Sequence, residues 1–182
     1  MDMQPGKIKH ALTGIVTTIC LLGAGGAYAA IDTFLKIDGI DGESQDDKNR
    51  GASDVLGWQF SLVGGGEAGK RGCSQGIEII KAVDSASPKE IINAATGTVA
   101  PRAVLKVRKA GAANFDYLTI TMSNVLISSY RVASNDGQPG LTENIVLSFE
   151  SMDGAYRKQN PDGSPGTAIP WNLNSSARKC GG

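Results

Sequence analysis

Histidine is nearly missing from this chain. Of 182 residues only His10 is one, and it lies close to the N-terminus. Without a histidine further in, neither a Ser-His-Asp nor a Cys-His site can be assembled in the body of the molecule. An excess of charge is missing too: 18 basic side chains face 18 acidic ones. No surplus of Lys and Arg is left to neutralise phosphates, so nucleic acid is not an expected partner. Three cysteines are too few for a disulfide framework or a structural zinc site. Long apolar runs are also absent beyond the first thirty residues. Apolar residues at 41% and charged residues at 20% nonetheless describe an ordinary globular chain.

Residues 1–29 read as a secretory signal peptide. Lys7, Lys9 and His10 are basic, and no charged residue follows until Asp32. Leu12, Ile15, Val16, Ile19, Leu21 and Leu22 form the apolar part, and Ala27-Tyr28-Ala29 is an A-x-A cleavage site. Gly14, Gly23, Gly25 and Gly26 dilute the segment below a spanning helix, so no membrane association is expected after cleavage. Residues 30–182 would then be histidine-free, with one more acidic than basic side chain. Cys73 and Cys180 would remain, in an oxidising compartment where they can form a disulfide.

The rest of the chain has mainly period-two patterning, which predicts strands. Expected strands are Phe34–Asp38, Asp54–Val63, Ile77–Val83, Ala103–Arg108, Tyr117–Met122, Val125–Val132, Ile145–Met152 and Ala168–Leu173. In the second, Leu56, Trp58, Phe60 and Leu62 should share the packed face, with Gln59 opposite. Ser87-Pro88-Lys89-Glu90 has the form of a capping box with Pro88 at the first helical position, and Gly97 supplies the stop. A helix of about ten residues must be held by packing. The expected fold is mainly β, a sandwich or barrel with one short helix, in a single domain over 30–182 with a flexible C-terminal tail.

Gly64-Gly65-Gly66-Glu67-Ala68-Gly69-Lys70-Arg71 fits the start of a phosphate-binding loop, but Arg71 stands where Ser or Thr should hold Mg²⁺. Gly72 and Gly76 interrupt the helix that the motif needs, so a glycine-rich surface loop is the expectation. The acidic stretch Asp38–Asp54 does not have EF-hand spacing, and Lys48 and Arg50 partly neutralise it. Ser176-Ala177-Arg178-Lys179 spells S-x-x-K, yet lies in a polar tail. No catalytic, cofactor or metal site is expected.

Several segments together resemble the Hcp family, the tube proteins of type VI secretion. Phe34-Leu35-Lys36-Ile37-Asp38-Gly39-Ile40-Asp41-Gly42-Glu43-Ser44 looks like the family's opening strand and loop, and Asp54-Val55-Leu56-Gly57-Trp58 like its second strand. The glycine loop ending at Gly69-Lys70, the helix from Ala86-Ser87-Pro88 to Thr96-Gly97, Ala103–Gly111, Tyr117–Ser129 and Leu141–Phe149 follow in order. The likeness covers about residues 31–173. It implies a two-sheet β-barrel with one flanking helix, assembling as homohexameric rings that stack into a hollow tube, carry effectors in the lumen and work by surface complementarity, without an active site.

Two departures stand out. Where the family usually has Trp-Ser-Trp, this chain has Trp58-Gln59-Phe60, which makes Gln59 a candidate lumen residue. Gly64, Gly65, Gly66, Lys70 and Arg71 are further candidate lumen or partner contacts. The signal peptide is the larger departure, because members of the family are made in the cytoplasm and leave through the contractile apparatus. Expected partners are further copies of the chain, effector proteins and secretion components. The alternative is an exported periplasmic or extracellular binding module that works outside the apparatus.

Overall fold

The computed structural model describes residues 31–68, 70, 72–109, 115–134, 140–173 and 178–179. Residues 1–30, and with them the expected signal peptide and His10, lie outside the described residues, as do Gly69, Arg71, Ser176 and Cys180. Nine strands and one helix follow in chain order: β1 Ile31–Ile37, β2 Ser53–Val63, β3 Cys73–Ala82, α1 Ser87–Thr96, β4 Val99–Lys109, β5 Asp116–Ser134, β6 Leu141–Ser148, β7 Ser151–Gln159, β8 Pro165–Leu173 and β9 Arg178–Lys179.

The strands form one sheet rather than two. Hydrogen-bonded neighbours run β4-β1-β2-β3-β6-β5-β7-β8, and a further pairing of β4 with β5 returns the sheet upon itself. The six strands β4, β1, β2, β3, β6 and β5 thus make a closed circuit, with β7 and β8 extending from β5. All these pairs are antiparallel; β9 alone adds in parallel, on β3. What joins the layers is the length of β5. Its 19 residues replace the two strands expected at Tyr117–Met122 and Val125–Val132. Leu118–Ser123 pair with β7, and Leu126–Ser134 pair with β6 on the same edge.

Between these two partners lies Asn124, at φ 50. Asn tolerates this left-handed backbone better than most side chains. The inward phase changes there, from Ile120 and Met122 to Val125 and Ile127. The expected strand Ile145–Met152 is likewise two: β6 ends at Ser148 and β7 starts at Ser151. Across the break, the Glu150 amide donates to the Ser123 carbonyl (3.0 Å) and Phe149 packs against the core near Phe60.

The circuit encloses the core. Ile77, Ile79, Ala103, Leu105, Met122, Ile145, Leu147 and Met152 are wholly inaccessible, each at an inward alternate position. Burying such a side chain stabilises the fold by roughly 1.5–3 kcal/mol. Strand β2 departs from the expected alternation. Bulges between Val55 and Gly57, and between Phe60 and Leu62, shift its phase twice. Val55, Trp58 and Phe60 pack inward, whereas Leu56 and Leu62 are exposed.

Helix α1 ends as expected, with Gly97 in the left-handed region at φ 69. Its start does not. Ala86 is the N-cap, Ser87 is already helical, and no side chain caps it in the manner expected of Ser87 and Glu90. The reciprocal pair lies one turn earlier: Asp84 Oδ1 accepts from the Ala86 amide (3.0 Å), and Ser87 Oγ accepts from the Asp84 amide (3.0 Å). Glu90 is drawn away from the cap into a buried ion cluster. The helix therefore buries Ser87 and Glu90 while Ile91 and Ile92 face outward.

Candidate functional site

Gln59 is exposed on β2, opposite Glu78 of β3, and its amide donates to Ser61 Oγ (3.1 Å). It lines a shallow cleft of about 210 Å³ with Ser61, Gln75, Gly76, Glu78 and Val146. Asn144 of β6 donates to the Glu78 carboxylate. Gly76 is required there: its φ is 87, and a Cβ would lie 2.6 Å from the Leu147 carbonyl oxygen. The cleft offers amides, a hydroxyl and one carboxylate, groups that can hydrogen-bond a polypeptide surface.

The glycine loop begins at the end of the same hairpin, five residues beyond Gln59. Gly64, Gly65 and Gly66 lead into a turn closed by the Lys70 amide on the Glu67 carbonyl (3.1 Å). Lys70 also pairs with Glu67 at 2.7 Å, both well exposed. Strand β3 starts at Cys73, where a phosphate-binding loop would need a helix. The acidic stretch is also spoken for by cations. Asp38 pairs with Arg102, Asp41 with Lys36, Asp46 with Arg108 and Asp47 with Arg50. No group of three or more potential metal ligands occurs among the described residues.

Two buried charge clusters went unnoticed in the sequence. In the first, Lys81 of β3 is wholly inaccessible and directly opposite Glu143 of β6. Its ammonium pairs with Glu143, with Asp84 at 2.7 Å and with Glu90 at 3.3 Å. Ser87 Oγ donates to Glu143 Oε1 (2.8 Å), and the Tyr130 hydroxyl donates to Glu143 Oε2. One cation thus faces three carboxylates, which favours keeping one of them protonated. Burial, opposed by Lys81 and reinforced by the Glu143 charge, pushes Glu90 up to about 7. Burial works against the Lys81 charge as well, but Asp84, Glu143 and Glu90 outweigh it and hold the ammonium above its usual range.

The signal for this cluster was present. Lys81 shares the phase of Ile77 and Ile79, and Glu143 that of Ile145 and Leu147, so alternation alone puts both inside. The second cluster left no such trace. Arg108 is on the outward phase of β4, yet only 2% exposed, because residues 43–52 fold over it. It pairs with Asp46 at 2.6 Å and Asp116 at 3.1 Å, and lies 5.1 Å from the centre of the Phe34 ring.

Cys73 is disulfide-bonded, and its partner lies outside the described residues. Beside it, β9 runs parallel, with Arg178 opposite Cys73 and Lys179 opposite Ser74.

The family model described as "Type VI secretion system effector, Hcp" matches residues 34–156, from β1 into β7. The chain belongs to the Hcp family. Protein hcp1 of Pseudomonas aeruginosa is 33% identical over 143 residues, covering 74% of this chain and 88% of that protein. Crystal structures of Hcp1 and Hcp2 from Salmonella typhimurium are 31% and 30% identical, with TM-scores of 0.71 and 0.63. They cover 82% and 81% of this chain, and 98% of each of those chains. Gln59, the Gly64–Gly66 loop, Cys73 and both charge clusters fall inside the matched family region, while β8, β9 and Cys180 lie beyond it.

Proposed function

We propose that this Hcp protein is a non-enzymatic structural subunit of type VI secretion, assembling into homohexameric rings that stack into a tube. The observation that carries this reading is the Hcp likeness running from β1 into β7 at about a third identity to Protein hcp1. Exposed apolar side chains support it: Leu56, Ile80, Val132 and Leu141 on the strands, Ile91 and Ile92 on α1, and Ile169 and Trp171 on β8. Such surface is expected where copies of a chain meet. The Gln59 cleft faces the lumen and, with the Gly64–Gly66 loop, Lys70 and Arg71, contacts effectors. Light scattering and negative-stain imaging of residues 30–182 test the assembly. Annular particles are expected; a strictly monomeric protein at high concentration overturns it.

The chain is exported by cleavage after Ala29, and Cys180 is the partner of Cys73. The disulfide at Cys73 supports an oxidising destination, and the parallel seat of β9 beside Cys73 supports that partner. Among the described residues no helix is long and apolar enough to cross a membrane. Fractionation of the native producer should give a periplasmic or extracellular form starting at Ala30. Full-length protein confined to the cytoplasm overturns the export reading and leaves the ring reading standing.

A further inference from the structure

The outer face of the β1–β4 ladder carries a cavity of about 250 Å³. Its floor is apolar: Phe34 and Ala52 are buried and Val104 half-buried. Around them stand Lys36, Lys48, Arg50, Arg102 and Lys106. Register accounts for this grouping, since Phe34 is opposite Lys106 and Lys36 opposite Val104. Alternate residues of two paired strands share one face, so cations and apolar side chains interleave there.

The third wall is the segment 43–52, and it is well fastened. Backbone bonds join Gly42 to Gly51 (2.9 Å), Ser44 to Ala52 (2.9 Å) and Ala52 to Asn49 (3.0 Å). Lys36 Nζ donates to the Gly51 carbonyl (2.7 Å), and Arg108 pulls Asp46 inward. The cavity is therefore held open by the fold itself, so a ligand need not order it.

Among the described residues no carboxylate lines this cavity. The acids that pair with its cations sit outside it; Asp41 holds Lys36 closely, while three other pairs are more exposed or longer. Arg50–Asp47 is largely exposed, Arg102 reaches Asp38 at 3.3 Å, and Lys106 reaches Asp116 at only 3.7 Å. Exposed pairs such as Arg50–Asp47 and Arg102–Asp38 contribute about 0–1 kcal/mol, so an incoming anion can share or replace them. Guanidinium and ammonium groups also carry more donors than these contacts use.

We propose that this cavity binds a small organic anion with an apolar body, such as an aromatic or short-chain carboxylate or sulfonate. A bare inorganic anion would gain only the screened attraction of solvated cations. An apolar body adds the desolvation of the Phe34–Ala52–Val104 floor, which is what an amphipathic ligand needs.

The probe is 8-anilinonaphthalene-1-sulfonate, whose emission rises when it leaves water, titrated into residues 30–182. One site is expected, weakened several-fold by raising salt from about 0.05 to 0.5 M. R50Q/R102Q should weaken binding about tenfold; both side chains are mostly exposed, so the fold should survive, with circular dichroism as the check. I92S, on the far apolar face of α1, should leave it unchanged. Amide shifts in ¹⁵N spectra should cluster at residues 34–36, 48–52 and 102–106. Overturning results are absent binding, binding indifferent to R50Q/R102Q, or shifts confined to α1 or β8. Loss of ring assembly in R50Q/R102Q with unchanged probe binding also overturns it, since the cations would then serve subunit contact.

Discussion

Replacing Glu90 by Gln should alter how stability depends on pH more than it alters stability itself. Glu90 is 1% exposed and shares Lys81 with Asp84 and Glu143. Its Oε2 makes no hydrogen bond among the described residues, although it lies 3.3 Å from Lys81 Nζ. Burial first, with the Glu143 charge behind it, raises the carboxyl from 4.5 to about 7 against the pull of Lys81. A carboxyl raised on folding contributes stability that is complete below the unfolded value and is lost as pH rises through the folded one. The window here runs from about pH 4.5 to 7. At roughly 1.4 kcal/mol per pH unit, that span corresponds to about 3.5 kcal/mol.

The neighbouring groups change elsewhere. Burial opposes ionisation of Asp84, but Lys81, Ser53 and the Ala86 amide outweigh it and lower its pKa from 3.8. That contribution is present above about pH 4 and lost on acidification. Lys81 is raised above 10.5, so its contribution is lost only in strong alkali. The Tyr130 hydroxyl, pushed up by burial and then by Glu143, also titrates above the window. Residues 30–182 contain no histidine, so no imidazole obscures the signal.

The neutral amide introduced by E90Q would mimic the protonated carboxyl. Urea unfolding followed by tryptophan fluorescence at pH 4, 5.5 and 8.5 makes the comparison, at a concentration where light scattering gives both proteins the same assembly state. At pH 4 the two midpoints should nearly coincide. By pH 8.5 E90Q should be more stable by about 2–4 kcal/mol, with an unchanged denaturant slope. Parallel pH profiles for the two proteins would refute a proton held in this cluster.

Arg108→Met should cost about 3–5 kcal/mol near neutrality in urea unfolding, because Asp46 and Asp116 lose a shared, buried counter-charge. The deficit should shrink on acidification through the range where Asp46, its burial outweighed by hydrogen bonds from Arg108 and Asn49 that hold it below its usual 3.8, takes up a proton; a deficit independent of pH would point to lost packing instead. Cys180→Ser should leave Cys73 free to thiol labelling and lower stability by roughly 4–5 kcal/mol, the entropic estimate for a loop of about a hundred residues. Two free thiols in wild-type protein isolated without reductant would refute the bridge. At Gly154, a new Cβ would fall 1.9 Å from Trp171 Cε2. Gly154→Ala should therefore swing the half-exposed indole outward, red-shift its fluorescence and cost about 1–3 kcal/mol; an unchanged spectrum would show that the ring has room.

Much of the fold was legible because a strand's two faces meet different surroundings. Inward alternation alone identifies Leu35 and Ile37, Leu105 and Val107, and Ile120 and Met122. Where the register slips, that logic fails: the bulges at Val55/Gly57 and Phe60/Leu62 expose Leu56 and Leu62, and Asn124 reverses the phase of β5. The helix and its stop at Gly97 can be read from the residues, but its cap cannot. Ser87 and Glu90 have the spacing of a capping box, yet Lys81 on the preceding strand and Glu143, distant in sequence, compete for their oxygens. Local hydrogen-bonding patterns carry no information about such competitors.

The candidate site divides in the same way. Gln59 stands opposite the packed aromatic residues because alternation is a local property of one strand. Its neighbours Gln75, Glu78 and Val146 reach it only through the pairing of β2, β3 and β6. Residue order and hydrophobic period were enough to mark this as a β-rich Hcp chain with no histidine chemistry in its body. Which charges are buried, where the sheet closes and which cations surround a common cavity depended on long-range pairing. Coulombic and packing energies are set by distance in space, and only the closed chain brings Arg108 to Asp46 or Lys81 to Glu90.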